Sequence, residues 1–302
     1  MTNRCIYCKP FFWMVVGLCW LASSDVWAQY KVKKKGENKS NKSRFERSQW
    51  WLGLKIGGNL TQATPTARYS VLTSTASNIL VANSFQKNYQ DFSQVGFQFG
   101  AILTYNFYEN LSLSFQPAYY RIRYRYTNNY TWQDPSVATN ILTMSYTHTQ
   151  TTDYLDLPLA IRYEFLKDNR VKPYLQAGGY VGVLLNASKN IEIKGNDQAS
   201  GTGAFSTAST TVGTGRLYQT FSGGLLFGGG VNADFGNLRI ALECNYRLGL
   251  SNLTNRANRF SDPRLTGIGD VPDDLLANNL EMTLGLMFPL KYLVKDYKRV
   301  NP

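Results

Sequence analysis

Asn279-Leu280-Glu281-Met282-Thr283-Leu284-Gly285-Leu286-Met287-Phe288-Pro289-Leu290 decides the fold class. Leu280, Met282, Leu284, Leu286 and Phe288 alternate with Glu281, Thr283, Gly285 and Met287, the two-residue period of a strand with unlike faces. A tilted transmembrane strand needs about ten residues, and this stretch has that length. If it closes a barrel against the first strand, the rest of the chain must bring an even number of partners.

The upstream sequence supplies them. Residues 50–57 place Leu52, Leu54 and Ile56 opposite Gly53, Lys55 and Gly57. Residues 95–107 place Val95, Phe97, Phe99, Ala101, Leu103, Tyr105 and Phe107 on one face. Residues 111–126 run Leu111, Leu113, Phe115 and then Tyr120, Ile122, Tyr124, Tyr126; the slip of phase after Pro117 predicts a bulge. Further strands are expected over 154–165, 171–185, 217–235 and 238–250. Connections alternate between long (61–93, 127–151, 186–216, 252–278) and short (108–110, 167–170, 236–237). The pattern predicts an all-β fold: a closed eight-stranded antiparallel transmembrane β-barrel with four long extracellular loops and short periplasmic turns. Both termini are then periplasmic.

A soluble sandwich or lipocalin-like barrel is the competing architecture, and it needs no systematic charge opposite the apolar phase. Here Lys55, Asp156, Arg162, Glu164, Asp234, Arg239, Glu243, Arg247 and Glu281 all fall there, as expected of paired charges filling a narrow barrel interior. Two aromatic girdles are expected. One, at the short-turn end, comprises Trp50, Trp51, Tyr105, Phe107, Tyr108, Tyr163, Phe165, Phe235, Phe288 and Tyr292. The other comprises Tyr119, Tyr120, Tyr124, Tyr126, Tyr154 and Tyr218.

The ends of the chain have a different composition. Residues 1–28 have a basic start (Arg4, Lys9), an apolar run over 11–21 and a small-residue site at Val26-Trp27-Ala28, the pattern of a cleaved signal peptide. The apolar run is too short for a membrane-anchor helix. Residues 29–48 form a basic arm with little to bury, expected to be disordered and periplasmic. Its bases, Lys31, Lys33, Lys34, Lys35, Lys39, Lys42, Arg44 and Arg47, are the candidate partner-binding residues. Residues 49–290 are the barrel domain, and 291–302 a basic periplasmic tail. Because the positive charge sits in the arm and tail, a nucleic-acid-binding face on the folded domain is not expected. Of the four cysteines only Cys244 lies beyond the signal segment, which leaves no intrachain disulfide and no thiolate metal cluster.

Thr283, Gly285, Phe288 and Leu290 resemble the C-terminal insertion signal of bacterial outer-membrane barrels: polar residue, Gly, aromatic, apolar residue. Tyr154-Leu155-Asp156-Leu157-Pro158-Leu159, Lys172-Pro173-Tyr174-Leu175-Gln176-Ala177-Gly178, Leu248-Gly249-Leu250-Ser251-Asn252 and Leu284-Gly285-Leu286-Met287-Phe288 resemble the PorT-like family of outer-membrane β-barrels, often labelled porin family, with an OmpX-like fold. That resemblance implies the outer membrane of a Gram-negative bacterium and a part in protein secretion of type IX.

Chemistry is sparse. His148 is the only histidine, and with Asp153 and Ser145 it could form a general-base set, but polar loops carry these residue types by default. Glycines in 201–215 lack the Lys-Ser/Thr pair of a phosphate cradle. Asp262, Asp270, Asp273 and Asp274 lack Ca²⁺-loop spacing and are expected to be solvated. No enzyme activity, metal or cofactor is expected. The expected role is a structural or accessory component of an outer-membrane assembly, in contact with lipid and with other outer-membrane or periplasmic proteins. The alternative is a narrow or gated small-solute channel, with lumen space beside Gly53, Gly57, Gly96 and Gly100.

Overall fold

A computed structural model describes residues 49–70 and 87–290, except 109, 135, 138, 167–169 and 236. The signal segment, the basic arm with its eight candidate bases, and the tail lie outside the described residues. The chain divides into two units, Met1–Ser43 and Arg44–Pro302, and every described residue belongs to the second.

Among the described residues, twelve strands form one antiparallel sheet. They are β1 (Gln49–Ala67), β2 (Asn88–Gln90), β3 (Val95–Asn106), β4 (Leu111–Phe115), β5 (Ala118–Gln133) and β6 (Ile141–Glu164), followed by β7 (Val171–Asp197), β8 (Gly203–Ser206), β9 (Thr210–Gly213), β10 (Phe221–Phe235), β11 (Leu238–Gly249) and β12 (Asp274–Pro289). β1 pairs with β12 on one edge and β3 on the other, with Leu54 opposite both Leu286 and Ala101. β3 pairs with β4 and β5, both of which pair with β6. The ladder continues through β7, β10 and β11 to β12. No described helix is long and apolar enough to cross a membrane.

Alternation assigns the faces. Along β12, Met282, Leu284, Leu286 and Phe288 are exposed, while Glu281, Thr283, Gly285 and Met287 are buried. The same inversion holds on β1, where Leu54 is 72% exposed and Lys55 only 5%. A belt of exposed Leu, Ile, Val and Phe of this extent would be untenable in water; it matches hydrocarbon, with the polar residues turned to the sheet's inner face. Cys244 shares the outer face, half-buried opposite Gly229 and Met282.

Three expectations need correction. Two of the segments expected as long loops, 127–151 and 186–216, are largely strand, and strand enters the other two at their ends: β1 runs on to Ala67, β5 to Gln133 and β7 to Asp197, while β6 begins at Ile141 and β12 at Asp274. Beyond the belt neither face meets lipid, so a strand there has no apolar outward face; the ladder is held by backbone pairs such as Thr149↔Asn190.

Next, the chain does break between β4 and β5 at Gln116–Pro117, but the phase does not slip. Ser112, Ser114, Gln116, Ala118, Tyr120, Ile122, Tyr124 and Tyr126 are all buried, so the tyrosines turn inward and Arg121, Arg123 and Arg125 outward.

As a result, Tyr120, Tyr124, Tyr126, Tyr154 and Tyr218 leave the second girdle for the interior, where Tyr124 and Tyr218 share a hydroxyl–hydroxyl bond of 2.6 Å. Only Tyr119 of that group faces outward. At the short-turn end Trp51 is likewise buried, while Trp50, Phe107, Tyr108, Tyr163, Phe165, Phe235 and Phe288 are exposed. Tyr292 lies outside the described residues.

Candidate functional site

The inner face carries two polar layers. In the belt-level layer, β11 presents Arg239, Glu243 and Arg247 at every second inward position, and each meets a partner from another strand. Arg162 of β6 donates to Glu243 at 2.5 Å and to Gln176 at 2.9 Å. Arg247 pairs with Asp156 and lies between the rings of Tyr120 and Tyr180, 4.5 and 4.0 Å from their centroids. Lys55 donates to Gln116 at 2.7 Å, and Glu281 accepts from Gln98 and Asn245 at 3.1 and 2.9 Å. Nearer the short turns Arg239 grips Asp234 through two bonds of 2.6 and 2.9 Å, reaches Glu164 at 3.4 Å and covers Trp51. Seven of the nine interior-charge candidates are thus almost fully buried, and Glu164 and Asp234 are partly so. Four cations face five carboxylates, so the layer nearly neutralises itself, which such burial requires.

The space expected beside the strand glycines is taken. A Cβ on Gly53, Gly57, Gly96 or Gly100 would overlap Met287, Thr283, Asn59 or Ala118 respectively.

The second layer lies at the long-loop end, and the sequence did not announce it. His148 sits on β6 six residues past Tyr154, about 20 Å further along the strand and clear of the apolar belt. Asp270, from the 250–273 segment that precedes β12, reaches inside and meets Lys189 of β7 at 2.6 Å and the Tyr126 hydroxyl at 3.0 Å. Lys87 stands 3.7 Å from Asp270 and 3.0 Å from Asp273, which also accepts from Tyr89 at 2.8 Å. Burial would raise the Asp270 pKa, but Lys189, His148 and Lys87 together hold it well below the usual carboxylate range. Burial pushes His148 down to about 4, against the pull of Asp270 and with the push of Lys189 and Lys87. Its ring stacks on Tyr126 at 4.7 Å, Nδ1 lies 3.7 Å from Asp270, and neither ring nitrogen is hydrogen-bonded.

These contacts separate the two residue sets considered from sequence. His148 points inward, whereas Ser145 bonds Asn129 and Asp153 holds Arg121 on the outer face, so the three cannot act together. The four aspartates are not solvated as a group: Asp270, Asp273 and Asp274 are buried on Lys or Arg, and only Asp262, with Arg264, stays near the surface. Cations occupy their oxygens, and no metal-ligand group exists among the described residues. Of the insertion-signal residues, Thr283 and Gly285 face inward, Phe288 faces outward and Leu290 follows the end of β12. A signal for the missed cation was present, since Ala187, Lys189, Ile191 and Ile193 alternate within a segment otherwise rich in Ser, Thr and Gly.

No curated protein matches the sequence. Among solved structures, OprG of Pseudomonas aeruginosa is similar at 9% identity, covering 80% of this chain and 95% of its own, with a TM-score of 0.37. The N-terminal β-barrel domain of Pseudomonas aeruginosa OprF is similar at 12% identity, covering 80% and 98%, with a TM-score of 0.31. Ail of Yersinia pestis follows at 11%, covering 80% and 99%, with a TM-score of 0.26. None of these likenesses is close enough to carry a role to this chain. The family model for the outer membrane protein beta-barrel domain matches residues 27–255, about three quarters of the sequence. An exposed apolar belt, a polar inner face and that match lead to one conclusion: the chain belongs to the outer membrane protein beta-barrel domain family, proteins of the Gram-negative outer membrane.

Proposed function

We propose that this protein is a closed, filled eight-stave barrel that anchors a structured platform at the membrane surface, with no enzymatic or conducting role. β4 and β5 count as one stave interrupted at Gln116–Pro117, and β2, β8 and β9 are additions at the long-loop end. The pairing of β1 with both β3 and β12 supports closure. An even stave count puts both termini on the short-turn, periplasmic side and the long-loop end outside. The nine interior charges then line the barrel lumen.

The observation that carries the non-conducting reading is the double obstruction of the lumen. The Arg162–Glu243 and Arg247–Asp156 pairs cross it at belt level, and the 250–273 segment, tied down through Asp270 and Asp273, fills it at the long-loop end. An eight-stranded interior has room for side chains and little else. The platform is the set of strands that continue past the belt, most of all the β6–β7 ladder up to Leu142↔Asp197. Such a body suits a structural or accessory subunit that other outer-membrane or periplasmic proteins dock on. The resemblance to the PorT-like family adds protein secretion as the process, with the basic arm 29–48 as the periplasmic contact.

Cross-linking in intact outer membranes, followed by purification of the barrel and a secretion assay, tests the role. The reading expects specific co-purifying proteins that are lost on deleting residues 31–47. A barrel that purifies alone and whose absence leaves secretion normal contradicts it.

A further inference from the structure

Three arginines stand on the outer face of β5 where the apolar belt ends. Odd-numbered residues of this strand face out: Tyr119, Arg121, Arg123 and Arg125. Alternate residues lie about 7 Å apart, so the guanidinium groups form a ladder rising from the belt. Their height is fixed by their neighbours. Arg121 lies opposite Phe97 of β3 and Asp153 of β6, one level beyond Tyr119 and the exposed Leu155. Directly beneath, Tyr119 packs on Phe97 and Phe99 with ring centroids 5.8 and 5.2 Å apart, the aromatic edge of a membrane interface.

The three cations are not equally engaged. Arg121 is held by Asp153 through two bonds of 2.6 and 2.9 Å and lies 5.2 Å over the Phe97 ring. Arg125 gives only Nε to the Thr149 hydroxyl at 3.2 Å. No described side chain pairs with Arg123. Across β6 and β7 the residues level with Arg123 and Arg125 are Thr151, Ser188, Thr149 and Asn190, all neutral. On the other side Gln90 lies opposite Arg125, and Asp91 beside it accepts from Gln62 at 3.0 Å. Two guanidinium forks are therefore left facing the headgroup layer among hydroxyls and amides, with Asp91 engaged by Gln62 and Glu192 one level further out on β7.

From this placement we infer that Arg123 and Arg125, seated above the Arg121–Asp153 pair, bind the phosphate of a phosphorylated glycolipid of the outer leaflet. Guanidinium forks match phosphate oxygens two at a time, and the flanking threonines, Ser188 and Asn190 offer hydrogen bonds suited to sugar hydroxyls. The level of the site, at the rim of the belt, selects a membrane lipid over a soluble anion. The choice of outer-leaflet glycolipid over phospholipid rests on the orientation proposed above.

The test uses the full chain in neutral detergent, titrated with purified lipopolysaccharide, with the same preparation after enzymatic removal of its phosphates, and with phosphatidylglycerol. Binding is read as the shift in thermal unfolding. Lipopolysaccharide should bind best, and dephosphorylation should weaken it. The pair Arg123→Gln/Arg125→Gln should weaken it by roughly tenfold or more, at about fivefold per charge. Lys194→Gln, further along β7, should leave it unchanged, and Arg123→Lys/Arg125→Lys should restore part of it. Equal binding of the dephosphorylated preparation, an unchanged double Gln variant that folds, or phosphatidylglycerol binding as tightly as lipopolysaccharide would each overturn the inference. Orientation is checked separately, by labelling Asn140→Cys in a Cys244→Ser background with an impermeant maleimide on intact cells. Lack of labelling there overturns the orientation, while loss of lipid selectivity with good labelling overturns only the site.

Discussion

Lys189 and Asp270 meet at 2.6 Å, both essentially without solvent contact, and join β7 to the segment before β12 across 81 residues of sequence. Two charges buried this deeply persist because each has further partners: Tyr126 donates to Asp270, and Lys189 also donates to the Tyr126 hydroxyl at 2.7 Å. The relationship makes the 250–273 segment part of the filled interior.

Removing one partner should therefore release that segment. Lys189→Met leaves Asp270 with Lys87 at 3.7 Å as its remaining strong cation. The expected cost is about 3 kcal/mol, the lower end for breaking a buried pair. Amide exchange over residues 250–273 should rise sharply while exchange in β11 and β12 at belt level stays slow. Uniform protection in the variant would mean that the pair does not hold the segment.

Acid should loosen the same contact. His148 has a folded-state pKa near 4, below its ordinary 6.5, so the opened form takes up the proton more readily. Its contribution is complete above about pH 6.5 and is lost as pH falls from there toward 4, at most about 3 kcal/mol. Asp270 stays ionised across that window, because its pKa is depressed further still. His148→Gln should flatten the pH dependence of 250–273 opening between pH 6.5 and 4. An unaltered slope would assign the effect to another group.

The belt-level pairs invite a double-mutant cycle. Arg162→Met or Glu243→Leu alone should strand the partner as a buried, uncompensated charge and cost about 3–5 kcal/mol. Arg162→Met combined with Glu243→Leu should recover most of that loss, because neither charge is then stranded. Denaturant titration in detergent reads both. Additive losses would show that the two side chains do not act as a pair.

On the outer face, Leu284 lies opposite Ile56 and Leu242, half-exposed at the middle of the belt. Leu284→Arg should destabilise the inserted form by about 2–4 kcal/mol, whereas Thr64→Arg on the same face of β1 beyond the belt should cost little. Heat-modifiable migration on gels reports the folded fraction. Equal tolerance of both would remove the lipid-facing assignment of β12.

These residues also show where sequence was informative. In β3, β11 and β12, lipid on one face and mostly polar or small residues on the other impose an alternation, and Leu284 or Glu243 could be placed by parity alone. Past the belt, water replaces lipid, outward positions become Thr, Asn and Arg, and the contrast that marks a strand disappears. Tyr120 to Tyr126 compound the problem: an apolar tyrosine phase looks lipid-facing, yet it fills the interior while arginines face out. Asp270 was visible but its partners were not, since Lys87 and Lys189 come from distant segments whose meeting depends on barrel registration. That these charges share one parity is legible in the sequence; which carboxylate meets which cation is not.

Single-channel recording of the purified full-length chain in planar bilayers tests whether the lumen is filled. No stable ohmic steps are expected at neutral pH, with the Arg162–Glu243 and Arg247–Asp156 pairs and the 250–273 segment all in place. Reproducible ohmic conductance from the unaltered protein, scaling with salt concentration, would contradict a filled lumen.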